Sequence, residues 1–269
     1  MTLETKCWQG DWKRILCTDW LGQLADRNGH PFDRRVLMIN NVDNISRVIR
    51  HAESAVQDGR ITSYIVVKEH AEKALDFFGL TAEEFGRGYV YSIAELVGLY
   101  LCQTDYLLHF AGDCMPQEHC EWLPQAMAAF EEDPRIMVAN LSWDPMKYRH
   151  EHRAEAEAIF GRRGTFYLGQ GFSDQCYFVR ADDFRRRMYK ETNPYSERYP
   201  DYGGELFEKR VDAWMRNHDM IRATFSLGIY DHLPKPQPFW SRLRNKVSSW
   251  RQGNTGFSKA NISTSTRDS

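Results

Sequence analysis

Four short stretches of the 269-residue chain hold side chains whose types and spacing could do chemistry. Asp113 stands in FAGDC (110–114), directly after the apolar run YLLHF (106–110). A carboxylate at a strand end can hold a divalent cation against phosphates; its plainer role is to cap the following turn. LGQGF (168–172) carries Gly169, Gln170 and Gly171. Two glycines let backbone approach a ligand closely, although Gly-x-Gly also describes an ordinary turn. Ser173, Asp174 and Gln175 follow, and Asp174 could bind hydroxyls or take a proton. YPDYGGELFEKRV (199–211) sets Asp201 and Glu205 on either side of a glycine pair, where an amphipathic run begins. A general base must lie within hydrogen-bond reach of the hydroxyl it deprotonates, and a helix N-terminus favours its ionised form. Glu205 has first claim to that role, with Asp201 in reserve; the simpler alternative is that Glu205 satisfies its own helix start. YDHLP (230–234) supplies His232 after the last apolar run. A lone loop histidine is seldom a ligand, so His232 matters only in company with Asp113.

These groups can act together only if the chain brings them to one edge. RVLMIN (35–40) is a short apolar run ending in Asn40 and Asn41, the pattern of a buried parallel strand. Ile45, Val48, Ile49, Ala52 and Val56 recur on one helical face, with Gly59 at the stop. TSYIVV (62–67) reads as a strand and 70–78 as a short helix. YVY (89–91) reads as a brief strand, and Ser92 with Glu95 as a capping box opening a helix that runs to Cys102. YLLHF is a strand, a helix starts at Trp122, and a strand covers 135–141. Further on, 148–163 is highly charged, a solvated helix or loop. Beyond it come a strand over 172–179, a basic helix over 182–189, a loop over 193–204, an amphipathic helix over 205–218 and a last strand over 220–230. This alternation predicts an α/β fold with a mixed, mostly parallel sheet flanked by helices. Right-handed crossovers put the loops after the strands along one edge, where such sheets bind ligands.

The length suits one large α/β domain. A net charge of −2 gives no electrostatic footprint for nucleic acid. The six cysteines are scattered without a Cys-x-x-Cys pair, which fits free thiols in a cytoplasmic protein. Cys114, His119 and Cys120 lie close to Asp113, but their spacing matches no standard zinc pattern. No run approaches the ~20 apolar residues of a membrane span. The expected organisation is an N-terminal extension over 1–34 packed on the domain, a catalytic domain over 35–238, a basic amphipathic helix over 239–251 and a disordered tail over 252–269.

The order of elements and these motifs resemble GT-A glycosyltransferases, especially the bacterial family 2-like enzymes, over roughly residues 35–235. In that family the fourth strand ends in Asp-x-Asp, whose second acid binds the metal bridging the donor diphosphate. Asp113 matches that second acid, while Ala111 stands in place of the first. The resemblance implies a nucleotide-sugar donor, Mg²⁺ or Mn²⁺ held by Asp113 and His232, and a glycine loop at Gly169, Gln170 and Gly171 lining the donor sugar pocket. It also implies an acceptor-activating acid at Glu205, with Leu206 where an Asp is commonest, and Asp174 on sugar hydroxyls. Base and ribose contacts are expected from Asn40, Asn41, Asp43, Lys68 and Glu69. The reading is transfer of a sugar to a glycan or lipid-linked hydroxyl in cell-surface polysaccharide biosynthesis. Two rivals remain. A sugar-phosphate nucleotidyltransferase should show a Gly-rich basic loop after the first strand, and NNVDN is not one. A non-catalytic binding protein on the same fold would explain Ala111 and Leu206.

FWSRLRNKVSSWR (239–251) sets Trp240, Leu243, Val247 and Trp250 on one helical face among four basic residues. That composition suits a helix lying on an anionic membrane, which predicts peripheral contact at the inner face. Docking as a C-terminal helix on the domain is the equal alternative.

Overall fold

A computed structural model describes residues 1–143, 159–199 and 204–233, all within the unit Met1–Pro234. The expected sheet is there. Its strands are β1 (Thr2–Cys7), β2 (Arg34–Ile39), β3 (Ser63–Val66), β4 (Tyr106–Phe110), β5 (Cys114–Pro116), β6 (Ile136–Trp143), β7 (Arg162–Arg163), β8 (Phe166–Gly169), β9 (Cys176–Arg180) and β10 (Ile221–His232). They run in the order β3-β2-β1-β4-β9-β6-β10-β8-β7, with β5 paired to β10. The β1, β2, β3 and β4 ladders are parallel, as is β6 with β10, while β9 is antiparallel to both β4 and β6. The start of β9 therefore shares an edge with the ends of β1, β2, β3, β4 and β10.

The sheet's first strand precedes the one from which the sequence pattern starts. Residues 1–34 supply β1, which sits between β2 and β4, together with α1 (Trp12–Leu16) and α2 (Trp20–Arg27). TLETKC does not read as a core strand because only Leu3 and Cys7 are apolar, yet both faces are buried. Leu3 and Cys7 join the core against α1, α2, α3 (Ile45–Gln57) and α6 (Leu123–Glu132). Glu4 and Lys6 point the other way, to the layer built by α4 (Val67–Phe78), α5 (Tyr89–Leu101) and, after the one-turn α7 (Ala181–Phe184), α8 (Phe207–Asn217).

Three local expectations change, the first being the basic helix expected over 182–189, which is only the single turn of α7. Tyr89–Tyr91 is the first turn of α5 rather than a strand, so Ser92 and Glu95 lie inside the helix and form no capping box. The Ser92 hydroxyl instead donates to the Gly88 carbonyl and accepts from the Phe207 amide, tying α5 to the start of α8. The helix expected from Glu205 begins two residues later, with buried Leu206 at its N-cap and Glu208 in its first turn. The chain enters α8 through a very close backbone approach. A Cβ on Gly88 would lie 1.9 Å from the Glu205 carbonyl oxygen, and one on Gly204 1.9 Å from that of Phe85.

Candidate functional site

The strand-end edge gathers two charged groups, held in different ways. The first is built by main chain. β5 folds back antiparallel on β10, pairing Cys114 with His232, and the Leu233 amide donates to the Asp113 carbonyl at 2.6 Å. This ladder sets His232 Nε2 3.4 Å from Asp113 Oδ2, and both side chains stay partly open. Among the described residues, Asp113, Cys114 and His232 are the one group of three with candidate ligand atoms within 4.8 Å of one another. Cys114 is buried, and burial pushes its thiol well up, which leaves the carboxylate oxygen and the imidazole nitrogen as the readier donors. A carboxylate oxygen and an imidazole nitrogen are donors that a divalent cation can take. Cys114, His119 and Cys120 do not form a ligand set: the exposed His119 ring bonds the Asp26 carbonyl.

The turn carrying Asp113 is fastened from below. A Cβ on Gly112 would lie 2.4 Å from the Lys6 carbonyl oxygen and 2.9 Å from Asp11 Oδ2, so only glycine fits this crossing over the end of β1. Arg14 donates to the Gly112 carbonyl at 2.9 Å, and the Ala111 amide donates to the Gln175 carbonyl. Ala111 is itself buried. Burial, with the Asp113 charge adding to it, pushes the Asp11 carboxyl up to about 6.

The second group is built by side chains. The Lys6 ammonium pairs with Glu95 from α5 and lies 3.3 Å from Asp174 Oδ2, just before β9. Burial works against the charged ammonium, but the two carboxylates outweigh it and raise its pKa. Glu208, from the first turn of α8, accepts a hydrogen bond from the Asp174 amide; burial first, then the Asp174 charge, pushes its carboxyl up to about 8. Beneath them Glu4 bonds His109 at 2.9 Å, and the His109 ring stacks on Tyr177. Burial raises the Glu4 carboxyl and lowers the His109 imidazole, so both stay neutral together. The carboxylate of Glu4 packs on Gly98 of α5, where a Cβ would lie 2.3 Å from its Oε2.

The sequence-derived candidates divide accordingly. Asp113, His232 and Asp174 reach the edge. Glu205 precedes α8, where Lys209 neutralises it at 2.9 Å. Glu208 is the helix-start acid that reaches Asp174; its signal, an acid one turn into an amphipathic helix, was present but eclipsed by the Gly-Gly-Glu motif. Asn40 and Asn41 follow β2, and both side-chain amides donate to the Val90 carbonyl at the start of α5, with Asn41 in a left-handed conformation (φ 51°). Asp43 is exposed, and its amide donates to the Gln9 side chain. Lys68 and Glu69 are exposed in the first turn of α4, into which β3 runs without a loop. The glycine loop starts from the opposite edge. Gly169 pairs with Arg222 near the start of β10, Gln170 accepts from Arg216 at 2.7 Å, and Gly171 (φ 112°) faces Arg198. Asp201 lies outside the described residues, as do residues 239–269.

The sequence matches no protein-family model and no curated protein. Solved structures are similar in fold. GalNAc-T7 with UDP, GalNAc and Mn²⁺ matches with a TM-score of 0.51 at 10% identity, over 88% of this chain and 44% of its own. Glucosyl-3-phosphoglycerate synthase from Mycobacterium tuberculosis, with Mn²⁺, UDP and phosphoglyceric acid, matches at 0.48 and 12%, over 96% and 79%. The galactosyltransferase LgtC matches at 0.43 and 14%, over 80% and 70%. This chain spans less than half the length of GalNAc-T7. A mostly parallel sheet flanked by helices, with its candidate site at the strand ends, gives this chain the fold of the GT-A glycosyltransferases.

Proposed function

We propose that the chain transfers a sugar from a nucleotide-diphosphate sugar to a hydroxyl of a glycan or glycolipid. The observation that carries this reading is the meeting of Asp113 and His232 at the strand-end edge. The donor and ion classes come by analogy of fold from GalNAc-T7, whose structure holds UDP, GalNAc and Mn²⁺. Asp113 and His232 would hold Mn²⁺, or Mg²⁺, on the diphosphate, where such an ion neutralises charge developing on the leaving group. Asn40, Asn41, Asp43, Lys68 and Glu69 are the candidates for the base and ribose, and Asp174 for sugar hydroxyls. The glycine loop at 169–171 keeps a donor role only if it moves from its present arginine contacts.

In an inverting reaction one carboxylate takes the acceptor proton. Glu208 is better placed for this than Glu205, because it faces Asp174 while Glu205 faces Lys209. In a retaining reaction no such base is needed, and Glu208 would position the acceptor. Buried Ala111 and Leu206 favour the second reading, a binding protein without turnover.

Release of UDP or GDP from nucleotide sugars with added Mn²⁺ tests transfer. Thermal stabilisation by a nucleotide sugar in every acceptor tried, with no nucleotide release, is the result that favours the binding protein. Among the described residues no helix is long and apolar enough to cross a membrane. We further propose membrane contact through 239–251 and a cytoplasmic location, on the basic and tryptophan-bearing composition of that stretch. Equal pelleting with anionic liposomes of the full chain and of a version ending at Pro238 would dispose of the contact.

A further inference from the structure

The donor-side chemistry leaves one part of the strand-end edge unused. We propose that the buried Lys6–Glu95 pair, acting past Asp174, sets the proton occupancy of the Glu208 carboxylate, and with it the pH range over which Glu208 is free to take a proton. Lys6 and Glu95 are positioning residues in this arrangement, since both act through the other two. The catalytic consequence rests on the transferase reading; the proton occupancy itself does not.

The strand period of two turns Lys6 away from the apolar face of β1 and toward α5. There it meets Glu95, whose side chain has no exposure to solvent. One Glu95 oxygen binds the ammonium, and the other, Oε2, has no hydrogen-bond partner among the described residues. An unpartnered buried carboxylate oxygen is costly to maintain. The ammonium then reaches outward to Asp174, whose main-chain amide in turn serves the Glu208 carboxylate. Contacts thus run without a gap from the core to the edge: Glu95, Lys6, Asp174, Glu208.

The charge count decides what this chain of contacts does. One ammonium faces three carboxylates, so ionising all of them leaves two uncompensated negative charges in a largely buried place. Burial together with like charge favours the protonated form of Glu208. Among the described residues the groups facing Glu208 are Asp174 before β9, Lys6 from β1, Glu95 from α5 and Tyr199 from the loop before α8. Tyr199 donates to the Phe172 carbonyl and is held neutral, chiefly by burial. Among the described residues Lys6 is the cation that faces Glu208, and Glu95 draws part of its charge away. During transfer the acceptor hydroxyl proton would pass to the Glu208 carboxylate as the new glycosidic C–O bond forms. The bond from the sugar to the diphosphate breaks, and its electron pair leaves on the phosphate oxygen.

The two positioning residues have opposite signs, which a merely structural role does not. The experiment is a pH titration from 5 to 10 of the full chain labelled with ¹³C at the glutamate carboxyls, with the Glu208 signal assigned through Glu208→Gln. Lys6→Met should move the Glu208 midpoint up, and Glu95→Gln should move it down, each by roughly one pH unit or more. Lys6→Arg should keep it near the wild-type position. Glu95→Gln is isosteric and keeps the hydrogen bond, so it decides the matter even if Lys6→Met fails to fold. A Glu95→Gln midpoint that stays or rises overturns the proposal. No donor or acceptor enters this titration, so a failed transferase assay and a failed titration remain distinguishable.

Discussion

Asp113–His232 and Lys6–Glu95–Asp174–Glu208 share one edge of the sheet but are held by opposite means. Main chain holds the first: β5 pairs with β10, Gly112 crosses the end of β1, and the side chains are left free to take a ligand. Side chains hold the second, each coming from a different element and bound to the next. A site held by backbone can lose a side chain and keep its shape. A site held by side chains loses its electrostatics and its geometry together. The two should therefore fail differently.

Asp113→Ala gives the largest expected effect. Mn²⁺-dependent nucleotide release should fall by roughly 1,000-fold, and thermal stabilisation by UDP with Mn²⁺ should disappear. The melting temperature of the free chain should hardly move, because the β5–β10 ladder is intact. A clear loss of stability without ligand would mean that this region is not backbone-held after all.

Glu208→Gln comes next. It should lower turnover by about 100-fold if Glu208 takes the acceptor proton, with little change in Mn²⁺–UDP binding measured by calorimetry. Glu205→Gln, which loses only a partly exposed pair with Lys209, should stay within a few-fold. The reverse ranking would return the acceptor role to the residue that the Gly-Gly-Glu motif favours.

These contrasts also explain what could be read from the chain. Asp113 and His232 were legible because strand ends of a parallel sheet converge by topology, and YLLHF and the final apolar run mark those ends. β1 was not, since Glu4 and Lys6 look like surface residues until α5 is placed over them; Gly98, which makes room for the Glu4 carboxylate, carries no sign of that duty in sequence. Ser92 and Glu95 matched a helix-start signature by spacing alone, while the helix starts a turn earlier and spends both residues on tertiary contacts. Glu208 stayed hidden because the register of α8 is fixed by the Gly88 and Gly204 crossings, contacts between segments over a hundred residues apart.

Gly112→Ala tests whether the two regions are mechanically one. Its methyl would meet the Lys6 carbonyl and the Asp11 carboxylate, and forced overpacking of this kind costs about 1–3 kcal/mol. Chemical denaturation should show that loss, and Mn²⁺–UDP binding should weaken with it. Loss of stability with unchanged Mn²⁺–UDP binding would make Gly112 part of the fold alone.

The smallest expected effect is on stability against pH, and its sign is set by the buried carboxyl. Glu208 titrates near 8 in the folded chain, against an unfolded value of about 4.3. Between those values the folded state binds the extra proton, so this group's contribution to stability is fully present below pH ~4 and is lost as pH rises through 8. Glu95 and Glu4, both raised chiefly by burial, act in the same direction. Urea unfolding of the wild type should therefore show stability declining from pH 5 to 9, and Glu208→Gln should flatten part of that decline, becoming relatively more stable toward pH 9. If Glu208→Gln and the wild type run parallel across the range, the Glu208 carboxyl is ionised at neutral pH, and the side-chain cluster holds no proton there for Lys6 and Glu95 to govern.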